Sequence, residues 1–411
     1  MKLKSFYLAI FHFGLCLGLY YLLFQCSFIR KLPTSHNLLN WDAYWYNMIK
    51  EHGYYIIPNA TSNVAFFPLF PLFWKFLNCS TIVISVINLI LFIVSLGQLV
   101  WDRKTSSAEL LFILALPTSI FFLVPYSESM FFSFGTLILV GYNRDNPALK
   151  YIGLFGLSLV RSVSILVIPA IIVCELFNNG NISGRNRIKN VFYCSFCSIA
   201  GLITSLFIHY LGTGKWFYFI EVQKYWGREW RMPHFPLTTT FPARTLGIDS
   251  IAFLVGVLAL IIFIRWGWGK IKGKWLLVDR ATLFSIVYLF SIMLLDTIFT
   301  MYSNNRSNIW SINRHMVATP FAIWFLLWLV RTAVFKTKEI YLVLLVFALV
   351  FFATGLFEYK WMALQYIFFV SAITLFKFFP KFSYFFFCAY FLEVFLQIYI
   401  YQEFTSGLWV G

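Results

Sequence analysis

The chain has 411 residues, 60% of them hydrophobic and only 12% charged, with a mean hydropathy of +0.77. Soluble domains hold about half apolar and about a quarter charged residues, so this composition excludes an ordinary soluble protein and points to a polytopic membrane protein. The formal net charge of +16 invites a nucleic-acid partner, but the basic residues are scattered between apolar runs instead of gathered on a soluble domain, so no nucleic acid is expected.

The N-terminus, MKLKSFYLAIFHFGLCLGLYYLLF, looks like a signal peptide. Its apolar stretch is too long for a signal core and no small-residue cleavage site follows, so it reads as an uncleaved first span, 5–28. A span needs about 20 apolar residues, fewer where helices are short. Further spans read at 81–101, 109–124, 127–142, 148–160, 163–178, 191–211, 249–265, 281–301, 316–333, 339–357, 361–378 and 383–401. Backbone in lipid must hydrogen-bond to itself, so helices are expected throughout. The pairs within 109–142 and 148–178 read as short helices meeting at sharp polar turns. The seven cysteines lie mostly in apolar runs and read as small packed hydrophobes. The expected fold is a single all-α integral-membrane domain over 1–411, with about 11–13 transmembrane helices and interfacial helices in the first long loop.

With the N-terminus inside, 19 of the 32 Lys and Arg but six of the 16 acids fall in inner segments. This bias favours that orientation. It puts loop 29–80, the Tyr126–Ser129 turn, loop 212–248 and loop 302–315 on one non-cytoplasmic face. The C-terminal spans, 339–401, carry no motif.

The first outer loop contains Asp42 among Trp41, Tyr44, Trp45 and Tyr46. Trp41, Trp45, Met48 and Ile49 recur at helical spacing, which predicts an interfacial amphipathic helix. Asp42 has two readings, a helix N-cap or a general base toward a hydroxyl. The neighbouring Trp and Tyr rings suit stacking on sugar faces. Next, Pro125-Tyr126-Ser127-Glu128-Ser129 interrupts an apolar run, and an acid at membrane depth is a functional candidate; Glu128 pairs with Asp42 as a possible second carboxylate. Arg161 stands between apolar stretches and needs a carboxylate such as Glu128, or a ligand phosphate, as its partner. Loop 212–248 interleaves Lys215, Lys224, Arg228, Arg231 and Arg244 with Gln223, Trp226 and Trp230. Such a basic-aromatic stripe on the outer face suits a lipid phosphate, although snorkelling to headgroups accounts for it too. Arg314 and His315 open the tenth span. The chain has no P-loop, dinucleotide fingerprint, His-Glu-x-x-His or Asp-x-Asp motif, so neither a nucleotide-sugar site nor ATP-driven transport is expected.

Trp41-Asp42-Ala43-x-x-Tyr46-x-x-Ile49-x-x-x-Gly53-Tyr54 and Asn63-x-Ala65-Phe66-Phe67-Pro68-Leu69-Phe70-Pro71 resemble the signature of the GPI mannosyltransferase II (PIG-V-like) family of GT-C glycosyltransferases. Pro117 with Pro125–Ser129, Arg161-Ser162, Gln223-x-x-Trp226-Gly227-Arg228 and Arg314-His315 leading to Pro320 follow in the same order. The chain departs from that pattern at His315, where many relatives carry Tyr, and at Ser162, where proline commonly follows the arginine. The resemblance implies an inverting enzyme that moves a hexose, mannose by analogy, from a polyprenyl- or dolichyl-phosphate sugar to a glycan, glycolipid or protein hydroxyl. On that reading Asp42 is the base with Glu128 beside it. Arg161, Lys224, Arg228 and Arg314 hold the donor phosphate. Trp41, Trp45, Tyr46, Tyr126, Gln223, Trp226 and His315 hold sugar. No metal or other cofactor is required, and membrane lipids are the surroundings. The short loops point to a bacterial inner membrane more than to the endoplasmic reticulum. Two alternatives are a flippase of lipid-linked sugars and an O-antigen-ligase-like enzyme. The first predicts charges along the middle of spans, and the second a long late outer loop, whereas 302–315 is short.

Overall fold

A computed structural model describes residues 4–103, 105–177, 183–273, 278–331, 337–378 and 383–411. The chain is 74% helical. Among the described residues, five helices are long and apolar enough to cross a membrane: Lys4–Gln25, Thr81–Leu99, Gly184–Thr213, Pro242–Ile271 and Arg280–Ile298. Shorter apolar helices, Pro147–Val160, Ser162–Phe177, Pro320–Arg331 and Ile340–Ala353, fill the bundle between them. Helix Gly184–Thr213 displays an exposed apolar stripe, Ile188, Phe192, Phe196, Ile199, Ile203 and Phe207. Their three- and four-residue spacing makes one continuous face suited to lipid.

Several expected spans are broken where the sequence forbids a continuous helix. The expected span 109–124 is helix Ser107–Leu114 followed by a 3-10 turn, Pro117–Phe122. Pro117 has no N–H to continue the ladder, so the chain re-enters as a new turn. Arg161 leaves helical geometry at φ −152° and ψ 145° and separates helix Pro147–Val160 from the turn Ser162–Leu166. Helix Arg280–Ile298 gives way to strand Phe299–Ser303, which the apolar run 281–301 concealed. That strand pairs antiparallel with Arg306–Asn308 through Asn304 and Asn305, both at positive φ. Two left-handed residues are what a two-residue hairpin turn requires. Glu229–Trp230 adds a third strand on the other edge. The expected span 249–265 begins earlier, as helix Pro242–Ile271. Cys194 and Cys197 stand at Cys-x-x-Cys spacing on helix Gly184–Thr213; Cys194 is buried, and both are unpaired.

The inner helices approach through glycine. A Cβ at Gly201 would run into the Phe155 carbonyl, and one at Gly153 meets the Phe134 carbonyl at 2.8 Å. Without a hydrophobic drive between helices in lipid, such small-residue contacts supply the packing. The described ion pairs sort by end. Arg144–Asp102, Lys150–Glu175, Arg280–Asp145 and Arg331–Glu109 join segments assigned inside. Arg161–Glu128, Arg228–Asp296, Arg244–Glu403, Arg306–Glu358 and Arg314–Asp42 join segments assigned outside. No described ion pair joins the two sets, which the alternation of spans predicts.

Gly201→Leu forces the two helices apart and is expected to cost about 1–3 kcal/mol by overpacking. Gly18, which has nothing within 4 Å of its Cβ position, tolerates Ala without loss. Thermal unfolding of both variants in detergent, followed by far-UV circular dichroism, checks the pair.

Candidate active site

Helix Asp42–His52 starts abruptly because Trp41 turns the chain at φ 57° and contributes no side-chain cap. Ala43, Tyr46 and Ile49 then fall on the buried face. Asp42 is therefore the first helical residue, not an N-cap. A carboxylate in the first turn complements the helix dipole, but its side chain reaches away from the helix. Its Oδ2 accepts a hydrogen bond from Arg314 Nη2 at 2.6 Å. Its Oδ1 has no protein partner among the described residues, and the carboxylate is 19% exposed.

Arg314 also serves Glu128. Its Nε donates to Glu128 Oε1 at 2.8 Å, and Nη2 lies 2.6 Å from the same oxygen. Glu128 Oε1 accepts in addition from Arg161 Nη1 at 2.8 Å. Four charges thus form one chain, Asp42, Arg314, Glu128 and Arg161. Arg314 is 2% exposed, with its guanidinium carbon 4.5 Å from the Tyr126 ring centroid and 5.1 Å from that of Phe121. Burial works against its charge, but Asp42 and then Glu128 outweigh burial and hold it above the usual arginine range. The turn that carries Glu128 is fastened by Asn88, whose Nδ2 donates to the Val124 and Tyr126 carbonyls, both at 2.8 Å. Tyr46 hydroxyl donates to Ser127 Oγ at 2.8 Å, and Tyr126 hydroxyl to the Asn40 carbonyl at 3.4 Å.

A second polar group abuts the first. Asp296, near the end of helix Arg280–Ile298, lies 2.9 Å from His315 Nδ1 and 3.3 Å from Arg228 Nη1. Burial lowers the His315 pKa and outweighs the Asp296 carboxylate, which favours the charged imidazolium. Asp249 Oδ1 accepts from Asn313 Nδ2 at 2.6 Å and from Asn313 N at 3.3 Å, which pins the turn that presents Arg314 and His315. Asp249 and Asp296 were missed in the sequence reading. The available signal was an acid inside an apolar run, expensive unless paired.

Beside these groups lies a cavity of about 350 Å³. Asp42, Arg161, Arg228, Arg314 and His315 line it with Gln223, Trp226 and Tyr46. Val163, Ile165, Leu202 and Leu295 form an apolar portion of the wall. Besides Glu128, four expected positions lie off the cavity wall. Lys224 is 55% exposed, pairs with Glu221 at 3.8 Å and stays off the cavity. It sits on the 3-10 turn Val222–Trp226, whose three-residue period aligns Gln223 with Trp226 and turns Lys224 away. Trp45 stacks on Phe66 at 6.2 Å and meets Trp226 edge-on at 5.6 Å, so it backs the wall without lining it. Trp41 packs on Trp409, also off the cavity wall. Tyr126 is buried under Arg314. Arg314 already serves two carboxylates, which leaves Arg161 and Arg228 as the cavity's less committed cations.

The chain matches no protein-family model, no curated protein and no solved structure.

Arg314→Met leaves two carboxylates facing each other in a dry setting and is expected to cost about 3–5 kcal/mol. Adding Glu128→Gln removes one of the stranded charges and recovers part of that loss. A double-mutant cycle on unfolding in mixed micelles measures the coupling, and strict additivity of the two losses would contradict the shared-guanidinium arrangement.

Proposed function

We propose that the protein is a GT-C-type glycosyltransferase. It moves a hexose, mannose by the family resemblance, from a polyprenyl-phosphate carrier to an acceptor hydroxyl on the non-cytoplasmic face of a bacterial inner membrane. One observation carries the reading: a carboxylate anchored through a single oxygen, Asp42, lines the same cavity as Arg161 and Arg228. A base, a place for a phosphate and an apolar wall for a lipid chain are what the transfer requires of one site.

In the proposed step the acceptor oxygen attacks the anomeric carbon while the bond from that carbon to the phosphate oxygen breaks. The polyprenyl phosphate leaves with the bonding pair, and the acceptor proton passes to Asp42 Oδ1. Attack opposite the leaving group inverts the anomeric centre. Arg314 orients Asp42 by holding Oδ2, and Glu128 holds Arg314, so Glu128 is a positioning residue instead of a second base. Arg161 and Arg228 neutralise charge on the departing phosphate, the kind of preorganised electrostatics that acts most strongly where water is excluded. Gln223 and Trp226 line the same cavity, which supports a part for them in holding the sugar. Transfer is favoured over transport by the layer of rings close to the site, where Phe131, Tyr288 and Phe321 are buried and in mutual contact.

The test is transfer of labelled hexose from a polyprenyl phosphate by the purified protein. Asp42→Asn is expected to lower kcat by about 10²–10⁴, the usual weight of a general base, while donor binding persists. Arg228→Met is expected to lower kcat/KM by about 10²-fold through weaker stabilisation of the leaving phosphate. Near-wild-type transfer by a folded Asp42→Asn variant removes the assignment.

A further inference from the structure

Four tryptophans line the cavity, Trp226, Trp230, Trp310 and Trp409; Trp230 is largely exposed, and the other three come from parts of the chain far apart in sequence. Trp310 follows the Arg306–Asn308 strand, and Trp409 comes from the segment beyond helix Ser383–Thr405. That segment is folded back onto the site. Gly407 turns the chain at φ +85°, Leu408 N donates to the Glu403 carbonyl at 3.0 Å, and Asn40 Nδ2 holds the Phe404 carbonyl at 2.7 Å. Trp409 is then 4% exposed. Its ring centroid lies 4.9 Å from that of Trp41 and 5.0 Å from that of Trp310, and 6.0 Å from the Arg314 guanidinium carbon.

The indole N–H groups of Trp226, Trp310 and Trp409 are all buried and have no hydrogen-bond partner among the described residues. A buried indole N–H normally finds an acceptor, and leaving one unpaired costs free energy. The rings line one cavity while their donors are turned from its open volume, and a turn of each indole brings three donors to a ligand rich in acceptors. The ligand must also offer apolar faces to the rings. A lipid chain has faces but no acceptors. A bare phosphate has acceptors but no faces, and Arg161 and Arg228 already suit it. A hexose has both, in its hydroxyls and its C–H faces.

We infer that Trp310 and Trp409, with Trp226, form the subsite that recognises the hexose of the donor. The inference rests on the glycosyltransferase reading. The donor's hexose is the one intended because it is bonded directly to the phosphate that Arg161 and Arg228 receive in the same cavity. Trp409 thereby makes the C-terminal segment part of the site, and Trp41, which precedes Asp42, supports Trp409 edge-on.

The experiment measures binding of two lipids to the full chain in nanodiscs: polyprenyl phosphate and polyprenyl-phosphate mannose. A soluble methyl mannoside serves as a third ligand. Wild type is expected to bind the sugar-bearing lipid at least about tenfold more tightly than the bare lipid phosphate, through several hydrogen bonds of about fivefold each. Trp409→Phe and Trp310→Phe keep a ring and lose the N–H. Each is expected to shrink that advantage about fivefold and leave affinity for the bare lipid phosphate unchanged. Equal advantage in wild type and both variants overturns the subsite, as does an equal fall for both lipids, which marks a structural role. Dependence of only the methyl mannoside on these residues overturns the assignment to the donor. If wild type binds neither lipid, the glycosyltransferase reading fails and the subsite with it; if it binds both lipids equally, the subsite alone fails.

Discussion

The site depends on one guanidinium. Arg314 is buried and bridges Asp42 and Glu128, and Glu128 in turn holds Arg161. In a low-dielectric interior neither carboxylate is tolerable alone, and neither is the arginine. The constraint is therefore mutual: the first outer loop, the turn before helix Glu128–Asn143, the break at Arg161 and the turn at Arg314 must meet at one point. Asp249 reinforces this by holding Asn313, the neighbour of Arg314.

The breaks in the helices follow from that meeting point. Pro117, Pro125 and the extended Arg161 interrupt apolar runs that are otherwise able to continue as helix, and each break sits at or beside the site. The bundle below is ordinary membrane packing, with small residues at helix contacts and Phe-rich faces outward. The small sheet Glu229–Trp230, Phe299–Ser303 and Arg306–Asn308 lies beside the cavity, joins loop 212–248 to the turn before Trp310, and so brings Arg228 close to Asp296.

Much of this was legible in the residues themselves. Asp42, Glu128 and Arg161 stood out because a charge beside apolar sequence is costly and must be paired, and of the two partners expected for Arg161, a carboxylate or a ligand phosphate, the fold supplies the carboxylate of Glu128. Asp296 and Asp249 obeyed the same rule but lay inside runs long enough to read as uniform spans. Lys224 was misplaced because its role depended on the phase of a 3-10 turn, which a count of basic residues does not contain. Strand Phe299–Ser303 was hidden by continuity, since a short apolar strand abutting a helix has no periodicity of its own. Trp310 and Trp409 carried no local signal at all. Their meaning arises only where residues from opposite ends of the chain converge on one cavity.

The central claim is that an anchored Asp42 and the two less committed arginines face one bound lipid phosphate sugar. An experimental structure in nanodiscs with undecaprenyl phosphate present tests this most directly. The account predicts phosphate density within hydrogen-bond distance of Arg161 and Arg228, in the cavity lined by Asp42, with the lipid chain leaving along Val163, Ile165 and Leu295. Phosphate bound at the opposite end of the bundle, or a cavity left without phosphate at saturating lipid, would contradict it.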